Sequence, residues 1–552
     1  MKNFITKEPR TLPGKISFNL PLLALPLFLL LCAFPSGANA QGTDQTPVLC
    51  DDVKKPFFYV SCGDNGLCIA ERARRESQAA SFWLTKRDGV KRVFVVGESV
   101  ASLLRAPEDA GLKNGKLEVI NCGMGGYDSY RIKDVFRQIL KYKPDLIVVL
   151  SGNNEGNAYN CRGLAFSIQN RIKRLLERYY SLSSDPLHAR IQASIKLQEI
   201  RLEAMAGYAR AKRIPLIFCA LPANLSGMPP PGALPLQDPV FASGLAAFEK
   251  GRFKEAEKLF SESMARDPVG LFPIFYRAKA LQALGRFPEA RRAYLDVIEL
   301  DKNQDRTSVN RNAMIRGAAA KGGAGLCDLE ASFRDASENG IPGLAQFSDA
   351  MHWHPQYNAL AWSEIARTAR GMGLGWFVLP RPSRDMGDLP PEELRRSFSY
   401  AVTYMDGTNE AENGAPLERV IAEMSFIETK RPGLLETTAL SPGKFKDLFI
   451  NNFWSRQTAG RLEALRPVFL ANLAEMERRR GDPGKALALL KSAEAAAPAK
   501  PYYGLTKALA LYGLGRVKEA KEELERLYRL PSMRQAALAA AGARGLAAAG
   551  AR

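Results

Sequence analysis

At 552 residues the chain is too long for one compact core, so several domains are expected. Hydrophobic residues make up 46% and charged residues 24% of it, which excludes both a disordered chain and a polytopic membrane protein. The net charge of +19 is spread over scattered Lys and Arg without interleaved aromatic residues, a distribution that argues against a nucleic-acid surface.

Residues 1–40 open with Lys2, Lys7, Arg10 and Lys15, continue through an apolar run from Phe18 to Phe34 and end in Ala38-Asn39-Ala40. Basic start, apolar middle and small-residue end predict a secretory signal peptide; Pro21, Pro26 and Pro35 interrupt the run and disfavour an uncleaved anchor. Cleavage lowers the net charge to +16 and leaves a periplasmic or secreted chain with no integral membrane segment. Its basic surface suits solubility alone or proximity to anionic envelope polymers. Seven cysteines remain, and Cys50, Cys62 and Cys68 cluster in a segment over 41–89 where an exported chain can form a disulfide. A helix is predicted there over Ala70 to Leu84. No C-x-x-C pair occurs, and the histidines number three, His188, His352 and His354, so neither a metal site nor another cofactor is expected.

From residue 90 the pattern alternates strand and helix. The apolar run Val93 to Val96 ends in Gly97-Glu98-Ser99 and passes into Val100-Ala101-Ser102-Leu103, which reads as strand, tight turn and helix start. Strands follow over Leu117 to Asn121, Asp145 to Leu150 and Pro215 to Ala220, with a helix over Tyr130 to Tyr142 and a long helical region from Gly163 to Lys212. Such alternation predicts a parallel sheet with helices on both faces over 90–222, resuming over 307–375 with a strand near Gly325 to Leu329 and a helix over Asn358 to Ala369.

Between these halves, Pro222 to Pro235 reads as a linker. Beyond it Gly251-Arg252-Phe253 with Ala256 and Phe260 recurs 34 residues later as Gly285-Arg286-Phe287 with Ala290 and Tyr294. The same 34-residue spacing separates Gly481 from Gly515 near the C-terminus, and a small residue stands seven positions before each glycine: Gly244, Ala278, Ala474 and Ala508. The pattern is similar to the tetratricopeptide repeat, a helix-turn-helix unit whose stacked copies usually bind proteins or peptides. Repeats are expected over 236–306 as an insertion and over 460–552 as a terminal array, with 376–459 as a connector.

Four short blocks carry the chemistry: Gly97-Glu98-Ser99, Asn121-Cys122-Gly123-Met124-Gly125-Gly126-Tyr127, Ser151-Gly152-Asn153-Asn154 and Asp349-Ala350-Met351-His352. In identity, order and strand-end placement they resemble the SGNH (GDSL-type) hydrolase superfamily, with Glu98 and Asn154 standing where that family usually has Asp. The resemblance implies a flavodoxin-like three-layer α/β domain. It also implies Ser99 as nucleophile, His352 as base, Asp349 as its orienting acid, and an oxyanion hole from the Ser99 and Gly126 N–H groups and the Asn153 amide. Gly123 or Gly125 is the alternative to Gly126, and His354 the alternative to His352.

These residue types suit acyl transfer because a serine hydroxyl needs an adjacent base, a base near neutral pKa needs an orienting acid, and the carbonyl oxygen gathers negative charge. The expected activity is hydrolysis of carboxylic esters, with the preference for O-acetyl groups on envelope or extracellular carbohydrate implied by the resemblance alone. An O-acyltransferase using the same residues and a repeat scaffold with a vestigial hydrolase domain are the alternatives. Because the insertion leaves the sheet beside its C-terminal edge, the central repeats are expected to wall the active site.

Overall fold

The computed structural model describes residues 55–546 apart from 75–76, 78, 106–116, 156–163, 233, 302–305, 379–390, 407–416, 451–455, 498–499 and 543–545; the expected signal peptide, Cys50 and Cys161 lie outside the described residues. The first strands, β1 (Phe58–Cys62), β2 (Cys68–Arg72) and β3 (Phe82–Trp83), form a small antiparallel sheet whose tight turn is closed by a Cys62–Cys68 disulfide. The helix expected over Ala70 to Leu84 is therefore absent. Phe58 and Phe82 pack edge-on against Tyr142, at 5.6 and 5.2 Å between ring centroids, and this aromatic burial overrides the helix-favouring composition between them.

The main sheet holds β4 (Lys91–Gly97), β5 (Leu117–Gly123), β6 (Leu146–Leu150), β7 (Leu216–Ala220) and β8 (Gly325–Asp328), all parallel, in the order β5-β4-β6-β7-β8. This is the flavodoxin-like order of doubly wound domains, in which the crevice beside the first strand's C-terminal end receives ligands. Helices α1 (Ser99–Leu103), α2 (Ser129–Ile139), α3 (Leu164–Tyr180) and α4 (Pro186–Ala211) follow the early strands. The long helical region thus breaks in two, because Asp185 accepts from the N–H groups of Leu187 and His188 and Pro186 starts a new helix.

The central repeats are α5 (Pro239–Glu249), α6 (Phe253–Arg266), α7 (Leu271–Ala283) and α8 (Phe287–Leu300); α9 (Val309–Gly322), α10 (Leu329–Asp335) and α11 (Asn358–Gly371) then complete the α/β domain. Alternation along the strands separates two cores. Phe94, Val96, Ile147 and Val149 meet α2, α4 and α9, whereas Val93, Val95 and Val148 meet α1, α10 and α11. In the first repeat any Cβ on Gly244 would lie 2.8 Å from the Phe260 ring, which explains the small residue at that position.

The segment expected as a connector carries α12 (Pro391–Asp406), α13 (Glu418–Lys430), α14 (Leu434–Ala439), α15 (Pro442–Leu448) and α16 (Arg456–Ala459). Phe398, Met424 and Phe445 from it share one core with Phe469 and Leu473 of α17 (Leu462–Arg479), so it is a helical layer continuous with the terminal repeats. Those repeats go on through α18 (Pro483–Ala496), α19 (Pro501–Gly513), α20 (Val517–Tyr528) and α21 (Arg534–Gly542).

The two repeat arrays clasp each other. Arg478 forks onto Glu249 of α5 at 2.7 and 3.2 Å, and Arg479 forks onto Glu418 of α13 at 2.7 and 3.0 Å, where the Tyr276 hydroxyl also donates. Leu245 of α5 faces Leu505 and Leu509 of α19 across the same crevice. Among the described residues no helix is long and apolar enough to cross a membrane.

Candidate active site

Three parallel strands deliver the early blocks to one edge. β4 ends at Gly97, where the close approach of β6 leaves no room for a side chain: a Cβ there would lie 2.3 Å from the Leu150 carbonyl oxygen. Glu98 donates its N–H to that oxygen at 3.2 Å, and Ser99 becomes the first residue of α1, whose N–H has no carbonyl a turn back to meet within the helix.

The last block comes from the loop between α10 and α11. Asp349 Oδ1 accepts from the N–H groups of Met351 and His352 at 2.8 and 2.7 Å, which curls the loop around the carboxylate. Asp349 Oδ2 lies 2.6 Å from His352 Nδ1, and His352 Nε2 lies 2.6 Å from Ser99 Oγ across 253 residues of sequence. With a carboxylate at Nδ1, the proton belongs on that nitrogen and Nε2 accepts from the serine hydroxyl. Burial alone would raise Asp349, but the adjoining imidazole and the hydrogen bonds from His352 and Met351 outweigh it and hold the carboxyl below its ordinary value.

Asn153 sits at the end of β6. Its side-chain oxygen accepts from Thr307 N and Oγ1 at 2.9 and 2.8 Å, and Nδ2 donates to Glu98 Oε1 at 2.8 Å. These contacts fix which end of the amide faces which way; the second Nδ2 hydrogen has no acceptor among the described residues. Glu98 also accepts from the backbone N–H groups of Asn153 and Asn154 at 3.1 and 3.2 Å and from Asn154 Nδ2 at 3.1 Å. Asparagine at 154 suits a carboxylate partner, since aspartate there would set two buried acids face to face. Burial pushes Glu98 up to about 8 against the pull of these amide donors, and the neighbouring Glu155 carboxyl adds to the rise.

Gly126 occupies the turn after β5 with φ at +71°, a conformation that requires glycine. Gly123 is needed for space instead, because a Cβ there would strike Ser102 N at 2.2 Å; its bare backbone lets β5 approach α1. His354 is fully buried, with Nε2 2.9 Å from the Leu344 carbonyl oxygen and Nδ1 3.0 Å from Glu393, and it faces away from Ser99 as part of the packing between α12 and the loop. His188 is exposed beside Asp185 at the start of α4.

Sequence reasoning missed two residues that the structure brings in. Asn224 donates its side-chain amide to the Asp349 carbonyl at 2.9 Å, although its segment reads as a linker, and Thr307 orients Asn153. They lie just before and just after the inserted repeats. The Asp349 charge acts on Tyr400 and Tyr404 of α12 and on Glu423 of α13, so helices of the expected connector stand near this end of the site, while Arg291 and Leu295 of the central repeats line a pocket with Pro222 and Thr307.

Residues 275–295 and 467–492 match the family model described as tetratricopeptide repeat. Comparison with curated proteins finds no match. Among solved structures, a GDSL-like lipase from Bacteroides thetaiotaomicron is similar at 14% identity and a TM-score of 0.25, over 51% of this chain and 87% of its own. A putative acylhydrolase from Bacteroides fragilis is similar at 12% identity and a TM-score of 0.27, over 52% and 89%, and a Naa15/Naa10 complex bound to HypK-THB at 14% and 0.23, over 75% and 53%. With TM-scores this low, the reading of the site rests on the chain's own geometry. The fold and repeats define a doubly wound α/β domain joined to tetratricopeptide repeats.

Proposed function

We propose that this chain is a serine hydrolase that cleaves carboxylic esters through an acyl-Ser99 intermediate. The observation that carries the reading is the line of contacts from Asp349 through His352 to Ser99, each step 2.6 Å long. Ser99 Oγ attacks the ester carbonyl carbon as His352 Nε2 takes its proton. The tetrahedral oxyanion is met by the Ser99 and Gly126 N–H groups and the second Asn153 amide hydrogen. Its collapse breaks the carbon–oxygen bond to the alcohol, which leaves with the proton from His352. Water then repeats the sequence on the acyl-serine and frees the acid. Asp349 stays ionised throughout and stabilises the imidazolium.

The substrate in this reading is an O-acyl, chiefly O-acetyl, group on envelope or extracellular carbohydrate reached by a periplasmic or secreted protein, and the outer faces of the repeats recruit a protein or peptide partner. A fluorophosphonate probe tests the core of it: the wild-type chain is labelled on Ser99, with loss of labelling in S99A. A folded wild-type chain that takes no label and releases no p-nitrophenol from p-nitrophenyl acetate would overturn the reading.

A further inference from the structure

Helix α12 lays one polar stripe along the catalytic loop. Glu393, Ser397, Tyr400 and Tyr404 recur at spacings of three and four, so they share a face. The stripe is anchored where Glu393 meets His354, two residues beyond His352, and Phe426 of α13 stacks on the same imidazole at 6.2 Å. From that anchor it runs on to Tyr400 and Tyr404, whose rings stack with centroids 6.2 Å apart and planes 20° from parallel.

Arg419 of α13 completes the group. Its guanidinium lies 5.9 Å from the Tyr404 ring centre, and its Nε donates to the Pro229 carbonyl at 2.8 Å. Pro229 belongs to the strap whose Asn224 holds the Asp349 backbone, so Arg419 ties Tyr404 to a segment that positions the triad acid. Both tyrosines are partly exposed, and neither hydroxyl has a hydrogen-bond partner among the described residues. Burial, with the Asp349 charge behind it, pushes both hydroxyls up, so they stay neutral phenols able to donate.

Building on the ester-hydrolase reading above, we propose that Tyr400 and Tyr404 are specificity-determining residues forming a platform for a sugar ring of the substrate next to the acylated hydroxyl. A pyranose is amphipathic, with C–H groups on its faces and hydroxyls around its rim. Paired aromatic faces bordered by phenol hydroxyls and a guanidinium match both parts, whereas a long acyl chain would call for an apolar wall without those donors.

The test compares acetate release from partially O-acetylated xylo-oligosaccharides with hydrolysis of p-nitrophenyl acetate, in the full chain and in Y400A, Y404A, Y400F and Y404F. Removing either ring should lower kcat/KM on the oligosaccharide about tenfold, mostly through KM, in line with the worth of one aromatic contact. Rates on the aryl acetate should stay within about twofold, since that ester does not need the platform. The phenylalanine variants should keep most of the oligosaccharide activity. Parallel loss on both substrates would overturn the platform in favour of mere support for Asp349, as would no loss on either. A wild-type chain that cleaves the aryl acetate and not the oligosaccharide also overturns it while leaving the hydrolase reading intact; failure on both substrates with no probe labelling strikes the hydrolase reading instead.

Discussion

Glu98, the residue before the proposed nucleophile Ser99, holds the side-chain amide of Asn153 at 2.8 Å. One carboxyl thereby links the Ser99 turn to the candidate oxyanion donor, and it does so buried, pushed up to about 8 from an ordinary value of 4.5. An acid whose folded-state value lies above its unfolded one binds an extra proton in the folded chain between the two. Stability therefore falls as pH rises from about 4.5 through about 8 and levels off beyond. Urea midpoints at pH 5 and pH 8.5 check this. Wild type should lose more stability across that interval than E98Q, by an amount on the order of a few kcal/mol; equal slopes would reject the assignment.

The two candidate histidines separate by function. H352A and D349N should lose ester hydrolysis by about 10⁴-fold while remaining folded by circular dichroism. Replacing His354 should act on folding, because its contacts with Glu393 and Leu344 are packing contacts. H354Q is expected to keep probe labelling of Ser99 at reduced thermal stability, and a labelling-dead but fully stable H354Q would contradict it.

Thr307 offers a subtler check. T307V keeps the shape but removes one of the two hydrogen bonds to the Asn153 oxygen. Loss of a buried hydrogen bond costs about 1 to 3 kcal/mol, so kcat should fall about tenfold or more with KM little changed, as an oxyanion donor loses its aim. A change in KM alone would assign Thr307 to substrate binding.

Glycines 123 and 126 predict opposite phenotypes. In G123A the added methyl meets the Ser102 backbone at 2.2 Å, so the chain should be destabilised by several kcal/mol or fail to fold. In G126A the backbone at φ +71° is strained, so a smaller stability loss of about 1 to 2 kcal/mol should accompany a drop in kcat.

The clasp between the repeat arrays is open to a double-mutant cycle. Glu418 is buried and Arg479 partly so, and removing the arginine leaves the Glu418 charge with only the Tyr276 hydroxyl, at a cost of about 3 kcal/mol. The paired R479M/E418M variant should recover part of that loss, with Glu475 still held by Arg478; additive losses would show that the two side chains act separately.

The sheet was legible because β4, β6 and β7 are short apolar runs buried on both faces, and the first and third blocks follow β4 and β6 directly. The repeats were legible through their spacing, since Gly251 and Gly285 end equivalent helices at φ of 71° and 74°. What stayed hidden was settled between distant segments. Nothing local marks Asn224 as the residue beneath Asp349 or Thr307 as the partner of Asn153, because each acquires its role from a partner more than 100 residues away. Likewise Glu71 to Ala80 favours helix locally, and the pairing of Ala70 with Phe82 draws its flanks into strands.

The separation of Ser99 from His352 by 253 residues has a consequence for how the molecule is made. A chain still emerging from the ribosome holds an unarmed alcohol until position 352 has been synthesised, and Arg478 and Arg479, which fasten one array to the other, arrive later still. In the proposed hydrolase, reactivity is thus timed by translation: a truncated product ending inside the repeats would carry Ser99 with nothing to awaken it.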